Sequence, residues 1–456
     1  MLKEKINRHN IPKIFLMLLL LISMLMPMET KAAGMRLPIF LLFMLALLYA
    51  GYWILSIRKG EAESPGLRYR IDIAIIVLFA WNLLSVIGKL FQGSEKGAID
   101  YQFQVIFITL SMWYFMLKET KEFKTWYWDV ILYAGLAVTG VMLFFYLGNM
   151  ELAVNLPELM NDSGRAASYL LLPCIISVCR YCMCRDKMRS VFYLMIAVVS
   201  FFALFINYNI VSLWLMAIVF LAVPVLMLPT AELVKRDMQL CFIYFFMMSN
   251  MSLLVNDTEL IQKEMSLSLE HSVYLDLLLA VGGVLFFTYW DRIPEDADRE
   301  RLILRKMRRG FRFVLKMLGI VFFSVALGGN RWKQLPDTMG SSIVKSFAVP
   351  LIDEIGKNKN AWIYCMENSS ISTLILLIFA AMTISRLRKN YGFDKPQTSV
   401  FLVIALVFLA QLFFFVPSVN VLPVYLLMLV MAAFYREEKQ RMVVSKIKFE
   451  KEIMEK

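Results

Sequence analysis

Polar and apolar positions are sorted into long blocks along this chain. Apolar runs fall near 14–28, 37–57, 71–91, 103–117, 126–147, 166–178, 190–206, 210–228, 239–255, 273–290, 313–327, 371–385, 400–416 and 422–435. A helix needs about 20 apolar residues to cross a bilayer, so the shorter runs must borrow polar residues at their ends. Only helices and closed barrels satisfy their backbone in lipid, and runs of this length predict helices. The expected fold is all-α, a polytopic transmembrane bundle of about fourteen spans, or twelve if two weak runs do not cross. It forms one transmembrane domain over residues 1–456. No repeat of 20–50 residues and no low-complexity stretch divides it.

Charge orients the bundle. With the N-terminus inside, 36 of the 48 Lys and Arg fall in the eight inner segments and 10 in the outer loops. Cytoplasmic segments carry such an excess, and one missed span would invert the alternation downstream. Both termini are therefore expected in the cytoplasm. The first run has a second reading. Lys3, Lys5, Arg8 and Lys13 precede it and Glu29–Gly34 follows it, which also suits a signal peptide.

Composition narrows the class. The hydrophobic share is 59% and the charged share 18%, against about a quarter charged in soluble domains. Mean hydropathy is +0.64. That excludes an ordinary soluble enzyme, and it excludes disorder, which needs low hydrophobicity. The net charge of +12 belongs to the inner loops and implies no nucleic-acid partner. The bilayer is the expected partner, and a multi-pass membrane location is expected.

Three outer loops hold most of the polar chemistry. Loop 328–370 carries Gly328-Gly-Asn-Arg-Trp-Lys333. Its Ile343, Phe347, Leu351 and Ile355 are spaced for a surface helix, with Pro350 as a kink. Loop 256–272 ends in Glu270-His271, and loop 148–165 in Asn161-Asp-Ser-Gly-Arg165. On the inner side lie a basic loop at 291–312, suited to anionic headgroups, and a charged tail at 436–456.

Several chemistries are absent. The chain has no Gly-x-x-x-x-Gly-Lys-Ser/Thr phosphate loop and only two histidines, His9 and His271. Cys179, Cys182 and Cys184 cluster at one span end, but no fourth Cys or His lies near them, so no metal and no cofactor is expected. Cys365 stands alone among the outer loops, which leaves no outer disulfide. Asp129, Asp276 and Lys316 are the main ionisable residues assigned to spans. Their scarcity weighs against an ion-coupled transporter.

Candidate site residues follow from position. His271, at the outer mouth of a span, can accept a proton, with Glu270 tuning it; the alternative is a helix cap at the headgroups. Arg165 and Arg331, with Lys333 beside the latter, stand where positive charge is rare, and a guanidinium pairs bidentately with phosphate.

The layout resembles the O-antigen ligase and polymerase (Wzy-like) superfamily of bacterial membrane glycan enzymes. The hairpin of Leu16–Met28 and Leu37–Ile57 is similar to that family's opening. Ile71-Asp-Ile-Ala-Ile-Ile-Val-Leu-Phe-Ala-Trp-Asn-Leu-Leu-Ser85 resembles its third span, and Asn161 to Pro173 its Asn…Leu-Leu-Pro span. His271-Ser-Val-Tyr-Leu with Gly282-Gly283 resembles its His-Asn-x-x-Leu…Gly motif. The turn Asn207–Ser212 lacks the Arg of the family's Ser-Arg-Gly, and the large loop closes with Glu367-Asn-Ser-Ser370 instead of a His.

The resemblance implies metal-independent glycosyl transfer at the outer face, from glycans carried on undecaprenyl pyrophosphate. Arg165 and Arg331, with Lys333 and Asn368, would hold the substrate. His271, Glu270 and Glu367 would be catalytic. Other polysaccharide-assembly membrane proteins would be partners. Two further readings stay open: a transporter or flippase for a glycolipid or other substrate, and a non-catalytic member of an envelope complex.

Overall fold

The computed structural model describes residues 11–25, 31–32, 35–59, 70–91, 102–119, 126–147, 163–184, 186–207, 209–227, 230–250, 277, 279–288, 297–328, 361–390 and 396–434. Glu270, His271, Asp276, Arg331, Lys333, the surface helix expected over 343–355 and the tail at 436–456 lie outside the described residues.

The architecture is helical. The first elements are α1 (Ile11–Leu25), α2 (Leu37–Arg58), α3 (Arg70–Phe91), α4 (Gln102–Glu119) and α5 (Trp126–Leu147). Next come α6 (Ser163–Met183), α7 (Lys187–Ile206), α8 (Ile210–Leu226), α9 (Ala231–Ser249) and α10 (Leu279–Thr288). The last are α11 (Ala297–Gly328), α12 (Ala361–Asn368), α13 (Ser370–Asn390), α14 (Pro396–Gln411) and α15 (Leu422–Phe434), with a short 3-10 turn at Val419–Val421. A two-residue antiparallel bridge, β1 (Lys31–Ala32) with β2 (Met35–Arg36), closes the turn between α1 and α2.

Each of the fourteen apolar runs overlaps a helix. Among the described residues, five helices are long and apolar enough to cross a membrane: α2, α3, α5, α6 and α7. Six further apolar helices are shorter. Local sequence sets several helix starts. The side chains of Asp186, Asn209 and Thr230 accept from the backbone N–H of Met188, Ser212 and Leu233, filling donors that a helix start leaves unpaired.

The segment expected as an inner loop at 291–312 is helical from Ala297 onward and continuous with the apolar run after it. At 1.5 Å per residue the 32-residue α11 is ~48 Å long, against ~30 Å of hydrocarbon core.

Helix α6 is the centre. It packs on α5, α7, α8, α9 and α14. Of its apolar window 89% is buried, against 33% for α2 and α3. A helix apolar on every side is a buried helix, and α6 carries Ala, Leu, Ile and Cys all round. Its approach to α5 needs Gly135, where an added Cβ would stand 3.0 Å from Cβ of Pro173. Close packing of this kind carries helix association where lipid removes the hydrophobic drive.

Arginines finish two helix ends. Arg308 on α11 donates to the Val225 carbonyl at the end of α8, at 2.8 and 3.1 Å. Arg236 on α9 donates to the carbonyls of Tyr181 and Cys184 at the end of α6 and to Ser190 Oγ. The last carbonyls of a helix have no partner within it, and a cation there also meets the negative end of its dipole. Asp129 on α5, Arg180 on α6 and Tyr193 on α7 form a third junction: Tyr193 donates to Asp129 at 2.9 Å and accepts from Arg180 at 2.9 Å.

Candidate functional site

An apolar cavity of about 180 Å³ opens among α3, α4, α12, α13, α14 and α15. Its walls are Ile75 and Leu78 from α3, Phe103 and Phe107 from α4, Phe379 from α13, and Leu422, Leu426 and Leu429 from α15. Among the described residues one charged side chain lines it, Arg165 from the first turn of α6.

The position of Arg165 is built from the backbone up. Ser168 Oγ donates to the Arg165 carbonyl at 2.7 Å and accepts from the Ser418 N–H at 2.8 Å. Tyr425 OH donates to the Ser168 carbonyl at 2.8 Å. Tyr169 OH donates to the Met24 carbonyl at the end of α1. The first turn of α6 is thereby fastened to the segment that supplies Pro417, Val419 and Leu422 to the cavity wall.

Helix α12 closes another side with Ala361, Trp362, Tyr364 and Cys365. Its first N–H donates to the Leu412 carbonyl at 3.1 Å, which ties it to the end of α14. At its far end Trp81 Nε1 donates to Ser369 Oγ at 3.3 Å, and the buried Ser372 donates to the buried Asn82 at 3.4 Å. Among the described residues Trp362 Nε1 and Ser111 Oγ are buried without hydrogen-bond partners, and both residues line the cavity.

Of the residues expected at a site, Arg165 is in the cavity wall, and Glu367 and Asn368 ride on α12. Both of the latter are exposed and neither lines the cavity. Asn368 Nδ2 donates to the Tyr364 carbonyl at 2.8 Å, a bond within its own helix. The ends of two loops more than 190 residues apart in sequence thus converge on one cavity. Lys316 is exposed on α11. Asp129 is engaged by Tyr193 and lies 3.8 Å from Arg180. Cys179, Cys182, Cys184 and Cys365 are free thiols. Among the described residues no group of three or more His, Cys, Asp or Glu is arranged to hold a metal ion.

Two buried acids were not legible as such. Asp72, in the first turn of α3, accepts from Lys118 Nζ at 2.6 Å and from Tyr114 OH at 2.8 Å. Its signal was an acid beside Ile71 at the opening of an apolar run. Lys118 in turn lies 5.9 Å from the centre of the Phe434 ring, and Arg386 lies 5.4 Å from the same ring. Ile75, Ser111 and Thr383 line the cavity, and Asp72, Tyr114 and Arg386 lie about one helical turn from them on α3, α4 and α13. The second acid is Asp237 on α9, wholly buried, with neither carboxyl oxygen hydrogen-bonded among the described residues. Burial pushes its carboxyl well above the ordinary aspartate range. It precedes the apolar run at 239–255, and its signal was weak: the segment 229–238 carries the fewest positive charges of any inner segment.

Comparison of the chain with protein-family models, with curated proteins and with solved structures finds no match.

Proposed function

We propose that this chain is a membrane-embedded glycan polymerase or ligase that takes an undecaprenyl-pyrophosphate-linked oligosaccharide. The observation that carries the reading is Arg165, the one charged side chain among the described residues in the wall of a mostly apolar cavity. An isoprenoid tail needs apolar walls, and a pyrophosphate needs a cation beside them. A guanidinium supplies that cation with two parallel donors. Helix α12, in the same wall, brings Glu367 and Asn368 into the neighbourhood. In this reading the bundle has fourteen spans with both termini in the cytoplasm, and the Arg165 end faces outward in a bacterial plasma membrane.

The chemistry is glycosyl transfer. An acceptor hydroxyl attacks the anomeric carbon, the bond to pyrophosphate breaks, and undecaprenyl pyrophosphate leaves. Glu367 or His271, tuned by Glu270, takes the hydroxyl proton. Arg165, with Arg331 and Lys333, neutralises the leaving pyrophosphate. Asn368 is a sugar contact, and other assembly membrane proteins are partners.

The test is complementation of a deletion strain with Arg165→Ala, Arg165→Lys and Glu367→Gln. For a polymerase, Arg165→Ala leaves single lipid-linked repeats at the outer face; for a ligase, it leaves full-length lipid-linked polymer unattached. Arg165→Lys restores part of the product. Unchanged glycan pools in the deletion strain itself remove the glycan reading.

One observation favours a second reading, transport. A buried acid without a partner, as at Asp237, is the kind of group that ion-coupled carriers use. Lipid-linked repeats retained on the inner face of the deletion strain would select it.

A further inference from the structure

Asp237 sits seven residues into α9, with Cys241 one turn beyond it on the same helix. Across the α6–α9 contact are Cys179 and Cys182, also one turn apart. These three thiols are titratable neighbours of Asp237. Among the described residues, the other elements against α9 bring no counter-ion. Helix α8 contains no titratable side chain. On α7, Lys187 and Arg189 are exposed, and Tyr193 is engaged by Arg180 and Asp129. Helices α10 and α11 meet α9 through apolar side chains around Val234 and Leu304; of the cations on α11, Arg305, Lys306 and Arg309 are exposed and Arg308 donates to the Val225 carbonyl. On α9 itself, Arg236 is turned to Glu232 and to the carbonyls that end α6.

A carboxylate in that place would give up its hydration and receive nothing for it. We propose that Asp237 is a proton-binding site: its carboxyl holds a proton in the closed bundle and sheds it only when α6 and α9 part enough to admit water. The ligand is the proton itself. Opening of this interface and release of the proton are then one linked event, favoured as pH rises. The proposal rests on the α6–α9 contact and holds whatever substrate the cavity takes.

The first measurement is infrared difference spectroscopy on the full chain in lipid nanodiscs, wild type against Asp237→Asn, in H2O and D2O at neutral pH. The expected result is a protonated-carboxyl C=O band that shifts in D2O and is missing from the variant. A difference confined to the carboxylate bands overturns the proposal. The second needs no variant. A membrane-permeant maleimide is titrated against pH on the wild type, and each thiol is scored by peptide mapping. Cys365 lies on α12, outside the α6–α9 contact, and is the internal control. Labelling of Cys182 and Cys241 should climb with pH several-fold more steeply than labelling of Cys365. Equal slopes for the three thiols overturn the link between proton release and opening.

Discussion

Asp72 and Asp237 are both fully buried, and both lie near the first turns of their helices. Around Asp72 the fold supplies an ammonium at 2.6 Å and a phenol at 2.8 Å, from the same face of α4. Around Asp237 it supplies thiols and no hydrogen bond. Equal burial therefore comes with opposite surroundings. The first acid is met by a cation and a phenol. In the second, burial pushes the carboxyl well above the ordinary aspartate range, because desolvation penalises only the charged form. Burial by itself does not say what an acid does; the groups on the facing helix do.

The largest effect comes from making the two sites alike. Lys118→Met strips Asp72 of its cation and leaves an uncompensated charge, which should cost about 3–5 kcal/mol. Thermal unfolding in detergent reads this as a large drop in Tm. Adding Asp72→Leu to that variant should recover most of it, since an apolar pair of similar volume commonly matches a buried ion pair. If the single variant unfolds like wild type, the ion pair is not what stabilises this junction.

Tyr114→Phe is the milder version. It removes one hydrogen bond to a charged acceptor and should cost about 1.5–3 kcal/mol. The ion pair with Lys118 stays, so the loss must be smaller than for Lys118→Met.

The contrast sharpens with pH. In the unfolded chain Asp237 titrates near 4, and in the bundle its carboxyl is pushed well above that. Below about pH 4 both states hold the proton and the contribution to stability is complete. Above it the unfolded state gains by ionising. Wild type should then lose about 1.4 kcal/mol per pH unit against Asp237→Asn, until the folded-state pKa is reached. Parallel Tm–pH curves for the two proteins would show that Asp237 ionises in the bundle.

The smallest effect is expected at a pair that resembles neither site. Glu232 accepts from Arg236 at 2.7 Å, but its side chain is 65% exposed. Glu232→Ala should cost no more than about 0.5 kcal/mol, because solvent screens the pair. The carbonyl bonds of Arg236 remain to hold α9 against α6.

Helix content was legible because it depends on neighbours along the chain. Apolar runs near 20 residues, and caps such as Asn209 and Thr230, act within a few positions. Arg165 stood out in the sequence because an arginine is conspicuous in a loop that otherwise carries no positive charge. Its cavity did not. The walls come from α3, α4 and α12–α15, and no local pattern tells Phe107 that it will share a cavity wall with Leu426. Lys118 counted as an inner-loop charge, and only the packing of α4 on α3 makes it the partner of Asp72. Asp237 stands two residues after Lys235 and directly after Arg236, company that suggests a solvated helix start. The covering by α6 reverses that reading.

The sequence alone thus determined a helical bundle rich in apolar spans and the places where its helices start. Those properties follow from hydropathy and backbone chemistry, which act over short stretches. Only the tertiary structure decided which helices meet, that Arg165 borders an apolar cavity, and that one buried acid is paired and the other is not. Each of these is a distance between residues far apart in the chain, and packing alone sets such distances.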